Sequence, residues 1–292
     1  METTKILDLE NDGLNMAMER QQDANRPQID AGEFLYIRCK RDMYKYDLTD
    51  MSIVAHKVIF KKDGKARNFS ICDKYIFLTD FCDLYILRKN DLQVAEVIRL
   101  GEDLSSDLGS VRFDPQKAYI SIRNGKLAVM DIDTRAVRKF DISDSSFWDH
   151  CVVGNSVYVG TVKGELIEID TGYMHVIRKN ELCRKNIYSV VYSDGMIYTV
   201  SQDTTIKAVD ASSLEIVHAA KNAVRGMARI LGKYKDELII LDSGQISLWD
   251  AQSLKQRERF NFPAGSYGKG AILHGNKLFG SDYQGVYIAE LE

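Results

Sequence analysis

An acidic residue recurs along this chain of 292 residues at nearly constant spacing. Each occurrence closes a short apolar segment, and only Arg88 breaks the chemistry of the series. The positions are Asp47, Arg88, Asp131, Asp170, Asp210, Asp250 and Glu290, with 39 to 43 residues from one to the next. A repeat of this length indicates one supersecondary unit copied several times, because each copy buries its apolar faces against its neighbours.

The fifth copy shows the repeating unit most clearly. Ile187–Ser193 alternates, Met196–Ser201 is apolar and rich in β-branched residues, Ile206–Asp210 alternates again, and Leu214–Ala219 is a last short run. Short segments of this kind, separated by tight turns, predict a meander of four antiparallel strands. Nothing in residues 33–292 has the 3.6-residue period of a long amphipathic helix.

Seven copies of a four-stranded sheet predict an all-β, seven-bladed propeller occupying residues 1–292 as a single domain. Radial packing covers both faces of every sheet and leaves only short outer edges. The last copy ends soon after Glu290 and lacks a fourth strand, so we expect Thr4–Glu10 to complete that blade and close the ring. We interpret Leu14–Arg20 as the inner strand of the first blade and residues 21–32 as a long polar loop.

Two of the copies resemble known repeats. Residues 190–210 and the ending Ile246-Ser247-Leu248-Trp249-Asp250 resemble the core repeat of the WD-repeat family, and residues 168–172 resemble the quinoprotein-like propellers. The resemblance implies a propeller that scaffolds protein complexes, with Asp203 anchoring a hydrogen-bond network in its turn. The Gly-His pair of the family is replaced here by Cys183-Arg184.

Composition is typical of a globular protein, with 45% hydrophobic and 28% charged residues and a net charge of −3. The first residues lack the basic and apolar regions of a signal peptide, and no apolar run is long enough to span a membrane. The five cysteines are an odd number without Cys-x-x-Cys spacing, which favours reduced thiols. We therefore expect a cytoplasmic protein that does not bind membranes.

Loops between blades are expected to open on one face together with the turns between second and third strands. The inter-blade loops carry eleven basic and six acidic residues, and including the turns reduces the excess of positive charge to three. This face is predicted to bind a protein partner, acidic or phosphorylated, although ordinary solvated loops would show the same charges. The predicted partner-binding residues are Lys61, Lys62, Arg67, Arg184 and Lys185. Nucleic acid is not expected, because the pI is about 6.0.

The innermost strands carry the residues suited to a small ligand. Phe147-Trp148-Asp149-His150-Cys151 is the most unusual stretch. Side chains alternate along a strand, so His150 and Cys151 should point to opposite sides and cannot act as a catalytic dyad. A small anionic ligand stacked on Trp148 is one interpretation, and His150 as a hydrogen-bonded packing residue is the other. The predicted ligand-binding residues are Arg112, Trp148, His150, Tyr188, Arg225 and Arg229.

The motifs of metal and phosphate chemistry are missing from the sequence. The five histidines fall in separate copies without metal-ligand spacing, and neither a phosphate-binding glycine loop nor a Gly-x-Ser-x-Gly elbow occurs. We expect no catalytic residues, no metal and no cofactor. Two functions remain open: a non-catalytic interaction scaffold that binds through its loop face, and a small-molecule-binding or enzymatic propeller with its site at the mouth of the central channel.

Overall fold

The computed structural model describes residues 2–8, 28–31, 33–39, 41–60, 66–102, 107–264, 270–282 and 284–292. All regular secondary structure in these ranges is β-strand, arranged as seven four-stranded antiparallel sheets. Each sheet is one blade of a seven-bladed propeller, as the repeat predicts. No helix of the described residues is long and apolar enough to cross a membrane.

The strands follow one another along the chain in blade order. The chain begins with β1 (Thr4–Asp8), which belongs to the last blade. The first blade comprises β2 (Gln28–Ala31), β3 (Phe34–Cys39), β4 (Asp42–Asp47) and β5 (Ile53–Val58). The second comprises β6 (Ala66–Ile71), β7 (Tyr75–Asp80), β8 (Asp83–Arg88) and β9 (Val94–Arg99). The third comprises β10 (Leu108–Phe113), β11 (Lys117–Ile122), β12 (Lys126–Asp131) and β13 (Val137–Asp141).

The remaining blades repeat the same order from the inner to the outer strand. The fourth comprises β14 (Phe147–Val153), β15 (Ser156–Thr161), β16 (Glu165–Asp170) and β17 (Val176–Glu181). The fifth comprises β18 (Ile187–Ser193), β19 (Met196–Ser201), β20 (Ile206–Asp210) and β21 (Ile216–Ala220). The sixth comprises β22 (Arg229–Tyr234), β23 (Glu237–Asp242), β24 (Gln245–Asp250) and β25 (Gln256–Asn261). The seventh comprises β26 (Ala271–His274), β27 (Lys277–Ser281) and β28 (Gly285–Glu290), completed by β1.

The ring is closed by the N-terminal strand. β1 pairs antiparallel with β28, with Thr4 opposite Ile288 and Lys5 opposite Tyr287. The prediction that the segment from Thr4 onward supplies the outer strand of the last blade is therefore confirmed. Pairing the two ends of the chain removes the exposed sheet edge that an open array would leave.

The hydrophobic core lies between the blades. Each of the seven interfaces holds its own cluster of buried side chains. Alternation along a strand divides its residues between two clusters, so Ile197 faces the fourth blade while Tyr198 and Val200 face the sixth. Burial on both faces explains why the two middle strands of each blade are the most apolar.

The recurring aspartate has a local structural role in five blades, at the turn before the outer strand. In the fifth blade, Oδ1 of Asp210 accepts hydrogen bonds from the backbone N–H groups of Ser212 (2.8 Å) and Ser213 (3.0 Å). Leu214, four residues after the acid, takes a φ of 60° and is buried. The left-handed residue ends the turn, and β21 therefore begins at Ile216 instead of at the predicted Leu214.

The exception at Arg88 is compensated within the same turn. Arg88 Nη2 lies 2.6 Å from Oδ2 of Asp91, whose Oδ1 accepts the backbone N–H of Gln93 at 3.1 Å. Leu92 has the positive φ that Leu214 has in the fifth blade. Asp91 thus supplies the carboxylate that the recurring aspartate supplies in other blades, and the turn geometry is the same.

Asp203 anchors the network that the WD-repeat resemblance implies, with partners that all lie in its own blade. Its Oδ1 accepts from the hydroxyls of Ser201 (2.5 Å) and Thr205 (2.6 Å), and Lys207 Nζ lies 3.3 Å from Oδ2. No histidine takes part in these contacts. The polar turn is satisfied locally without the Gly-His pair.

The first blade differs from the sequence prediction at its inner strand. The structure places this strand at Gln28–Ala31, paired with β3 through Ile29 opposite Ile37. The interpretation of residues 21–32 as a loop is therefore wrong for these four residues. The segment Leu14–Arg20, predicted as the inner strand, lies outside the described residues. A four-residue strand containing one large apolar side chain gives too short a pattern to stand out in the sequence.

Candidate ligand site at the central channel

The inner strands of blades two to six enclose a cavity of about 280 Å³ on the axis of the ring. The wall is formed where these strands begin, next to the inter-blade loops. Its polar side chains include Asn68, Asp107, Ser110, Arg112, Arg123, Asp149, Asn186, Tyr188 and Arg229. Phe69, Leu108, Phe147, Val162, Met227 and Ala228 supply apolar wall.

Arg112 and Asp149 form the most enclosed ion pair of the wall. Nη2 of Arg112 in β10 donates to Oδ1 of Asp149 in β14 at 2.6 Å, and Nη1 donates to the carbonyl of Val111 at 3.2 Å. Oδ2 of Asp149 accepts the backbone N–H of Val190 at 3.2 Å. Asp149 is buried, whereas the Arg112 side chain is 29% exposed. The carboxylate thereby fixes the guanidinium at the edge of the cavity.

Polar contacts connect successive inner strands around this part of the ring. Each contact reaches from one blade to the next and joins residues about forty positions apart, which is the repeat length. The pairs are Asn68 with the carbonyl of Gly109 (3.1 Å), Ser110 with His150 (2.8 Å), Ser189 with Asp149 (3.3 Å) and Ser189 with the N–H of Ile230 (3.3 Å). The wall is thus held by side chains at four consecutive interfaces in addition to the apolar clusters.

His150 is fully buried between the third and fourth blades. Nε2 lies 3.1 Å from the carbonyl oxygen of Tyr119 and must donate to it, so Nδ1 accepts from the Ser110 hydroxyl. Burial, together with the nearby positive charge of Arg112, lowers the pKa of His150 to about 4. Both ring nitrogens are engaged, which agrees with the packing interpretation and places His150 outside the cavity wall.

Cys151 lies on the opposite side of the same strand. It packs against the cluster between the fourth and fifth blades. Burial, with a smaller contribution from Asp149, raises the pKa of the Cys151 thiol to about 12. The two neighbours therefore face different blades, as alternation predicts, and they cannot exchange a proton with each other.

The structure brings three of the six predicted ligand residues together. Arg112, Tyr188 and Arg229 line the cavity, and burial raises the pKa of Tyr188. Arg225 has an exposed side chain outside the wall, while its backbone N–H donates to Oδ2 of Asp242 at 2.8 Å. Trp148 lies in β14 at a bulge between Phe147 and Asp149, and its side chain is outside the described part of the structure. Ligand binding by this set stays a prediction.

Sequence reasoning missed two acidic residues of the wall. The sequence pattern assigns no ligand role to Asp149, and it marks Asp107 only as a loop charge. Asp107 lies 3.3 Å from Nη1 of Arg123 and accepts the Arg123 backbone N–H through its carbonyl at 2.8 Å. Each acid pairs with an arginine that is distant in the sequence, and no linear spacing signals such a pair.

The inter-blade loops and the turns between second and third strands lie on one face. The loops donate backbone hydrogen bonds to the turns, as from Ile142 to Gly125 (3.0 Å) and from Leu182 to Gly164 (2.9 Å). The other turns meet on the opposite face, where Ala251 donates to the carbonyl of Asp236 at 2.8 Å. The first of these surfaces is the loop face.

Two of the predicted partner-binding residues can be placed on the loop face. Arg184 and Lys185 lie in the loop between β17 and β18, and the Arg184 side chain is 95% exposed. Lys61 and Lys62 lie outside the described residues, as does the side chain of Arg67. Partner binding by this set stays a prediction.

Three charged residues expected on the inter-blade loops belong to an outer strand. Arg178, Lys179 and Glu181 lie in β17, where Arg178 and Lys179 pair with Glu168 and Glu165 within the fourth blade. Lys163 also has a partner, Asp144, at 2.8 Å. The end of an exposed outer strand looks like a polar loop in the sequence.

The described residues contain no group of three or more His, Cys, Asp or Glu side chains arranged to hold a metal ion.

The fold and the channel define a seven-bladed β-propeller. No protein-family model matches the chain, and no curated protein matches its sequence. The fold is similar to the Pan2 WD40 domain of Neurospora crassa, at 13% identity and a TM-score of 0.72 over 99% of this chain and 96% of that one.

Two further solved structures share the fold. A chain of the mitotic checkpoint complex is 10% identical with a TM-score of 0.77, over 99% of this chain and 91% of that one. BamB from Moraxella catarrhalis is 14% identical with a TM-score of 0.65, over 89% of this chain and 82% of that one. At these identities the comparisons establish the architecture alone.

Proposed function

We propose that this protein is a non-catalytic, cytoplasmic interaction scaffold that binds an acidic or phosphorylated protein partner through its loop face. WD40-like propellers commonly act as scaffolds for protein interactions. The observation that carries the proposal is the exposed basic pair Arg184 and Lys185 on a loop whose backbone is fixed at its start.

Backbone and side-chain hydrogen bonds fix the loop next to the exposed pair. Leu182 and Cys183 both donate their N–H groups to the carbonyl of Gly164, at 2.9 Å and 3.3 Å. The Cys183 thiol donates to the carbonyl of Lys185 at 3.0 Å. A loop that is already ordered loses little conformational entropy on binding, and exposed charges mainly raise the rate of association with an oppositely charged partner.

Charge reversal on the loop face tests this proposal. The protein is used to isolate a partner, which is then purified and titrated against the wild type and against Arg184→Glu/Lys185→Glu. A matched control is Lys235→Glu/Lys255→Glu, because these exposed lysines lie in turns of the opposite face. The loop-face variant should bind more weakly, with a smaller association rate at low salt. Equal binding by the two double variants would overturn the proposal.

A second candidate function is the binding or conversion of a small molecule at the mouth of the channel. It is favoured by the cavity with three arginines in its wall. A thermal-shift screen against anions, nucleotides and sugars tests it, and a specific stabilisation should be lost in Arg229→Gln. Stabilisation that persists in this variant would place the ligand elsewhere.

A further inference from the structure

We infer that the central channel binds a small dianion between Arg112 and Arg229, the dianion being a phosphate group or a dicarboxylate. The inference rests on the second candidate function and specifies its ligand class. It follows from the position of the two arginines in the ring, from the chemistry of the wall and from the volume of the cavity.

The two arginines approach the channel from different sides. Arg112 lies on the inner strand of the third blade and Arg229 on the inner strand of the sixth. Two blades separate them in one direction around the seven-membered ring and three in the other. Both residues line the same cavity, and their blades lie on nearly opposite sides of the ring. A ligand on the axis would lie between the two arginines.

Both carboxylates of the wall pair with an arginine. Asp149 accepts from Arg112 and from the N–H of Val190, and Asp107 pairs with Arg123. Arg112 uses Nη1 and Nη2 for one contact each, and a guanidinium has five N–H donors. The wall therefore offers a ligand mainly hydrogen-bond donors, which suits oxygen acceptors carrying negative charge.

Arg112 is positioned before any ligand arrives. The carboxylate of Asp149 holds it, and Asp149 is itself bonded to Ser189 and Val190 of the next blade. Phe147 and Met227 form apolar parts of the same wall. A fixed guanidinium beside apolar surface interacts more strongly with an anion than a mobile one in water does.

The volume limits the size of the ligand. The cavity of about 280 Å³ lies just below the range of roughly 300–1,000 Å³ that is usual for drug-sized ligands. A phosphate group or a short dicarboxylate fits this space. The wall carries three arginines against two aspartates, so its net charge is positive, and a larger ligand would have to extend out of the channel.

Isothermal titration of the purified protein with inorganic phosphate and with succinate tests the inference at constant ionic strength. One of the two probes should bind at a single site, and the identity of that probe tells the phosphate class from the dicarboxylate class. Arg229→Gln should weaken binding by about tenfold or more. This variant keeps the Arg112–Asp149 pair, and a thermal melt of each variant shows whether the fold is retained.

Arg225→Gln is the matched control. Arg225 lies in the loop that leads into β22, four residues before Arg229, and it is outside the cavity wall. It should bind the probe as the wild type does. Failure of both probes to bind at about 10 mM, or equal weakening by the two variants, would overturn the inference. A neutral ligand that binds and is lost in Arg229→Gln, without binding of either dianion, would leave the channel as a ligand site and refute only the dianion.

Discussion

Thr4 pairs with Ile288 across the sheet of the last blade, so the first and last strands of the chain share one set of ladder hydrogen bonds. The same strand carries Leu7, which is 7% exposed and packs in a cluster with Leu35 and Ile37 of the first blade. β1 therefore completes the seventh blade and also fills the interface between the seventh blade and the first. The ring is closed by both backbone and side-chain contacts.

Loss of this closure should destabilise the whole propeller. Leu7→Ala removes buried methyl groups and should lower the free energy of unfolding by about 3 kcal/mol. Deletion of residues 1–10 should have a larger effect, since it exposes the edge of β28. Urea unfolding followed by circular dichroism measures both, with the exposed Thr4→Ala as control. A Leu7→Ala midpoint equal to that of Thr4→Ala would contradict the closure.

The buried carboxylate of Asp149 should contribute far more to stability than the exposed carboxylate of Asp144 in the preceding loop. Asp149→Ala leaves Arg112 without its partner at a site that is mostly enclosed, and it should cost about 3 kcal/mol. Asp144 pairs with Lys163 but is 81% exposed, so Asp144→Ala should not change the urea midpoint measurably. Similar midpoints for the two variants would show that the Arg112–Asp149 pair does not hold the inner strands together.

The sequence predicts the architecture well because the repeat is expressed in several signals at once. Apolar alternation, turn residues and the recurring acid agree in the fifth blade, and three of its four predicted strands have the observed bounds. The inner strand of the first blade carries none of these signals except the single residue Ile29. Its position is fixed by pairing with β3, a contact between segments that the local pattern does not reveal.

The candidate site is less predictable, because its residues meet only through ring geometry. The repeat predicts which residues lie on inner strands, and Arg112, Tyr188 and Arg229 are among them. The burial of His150 depends on Ser110 and Tyr119 of the preceding blade. The exclusion of Arg225 depends on where β22 begins, and strand ends are poorly marked when loops and edges are both polar.

Two glycines with similar backbone angles should respond differently to the same substitution. Gly164 and Gly195 have φ values of 87° and 80°, so alanine at either position is strained. A Cβ at Gly164 would lie 2.1 Å from the carbonyl oxygen of Cys183, whereas nothing lies within 4 Å of one at Gly195. We expect Gly195→Ala to cost roughly 1 kcal/mol and Gly164→Ala about 3 kcal/mol. Equal thermal shifts would show that the loop at Cys183 can move away freely.

The buried His150 should make stability depend on pH. Its pKa is lowered from 6.5 to about 4 in the folded protein, so below pH 6.5 the unfolded chain takes up a proton that the folded protein does not. The stabilisation is complete above pH 6.5 and is lost as the pH falls toward 4. The full difference amounts to about 3 kcal/mol. The lowered pKa of Asp210, by contrast, affects stability only where the pH falls below the ordinary aspartate value of 3.8.

Urea unfolding at about pH 7.5, 5.5 and 4.5 measures this dependence. His150→Gln should be less stable than the wild type at the highest pH, because it disturbs the contacts with Ser110 and Tyr119, and its stability should change less as the pH falls. The exposed His218→Gln should follow the wild type throughout. A wild-type pH dependence in His150→Gln would mean that other groups cause it. The wild type loses the contribution of neutral His150 as the pH falls, whereas His150→Gln does not. The difference in free energy of unfolding between the wild type and His150→Gln should therefore shrink toward acidic pH.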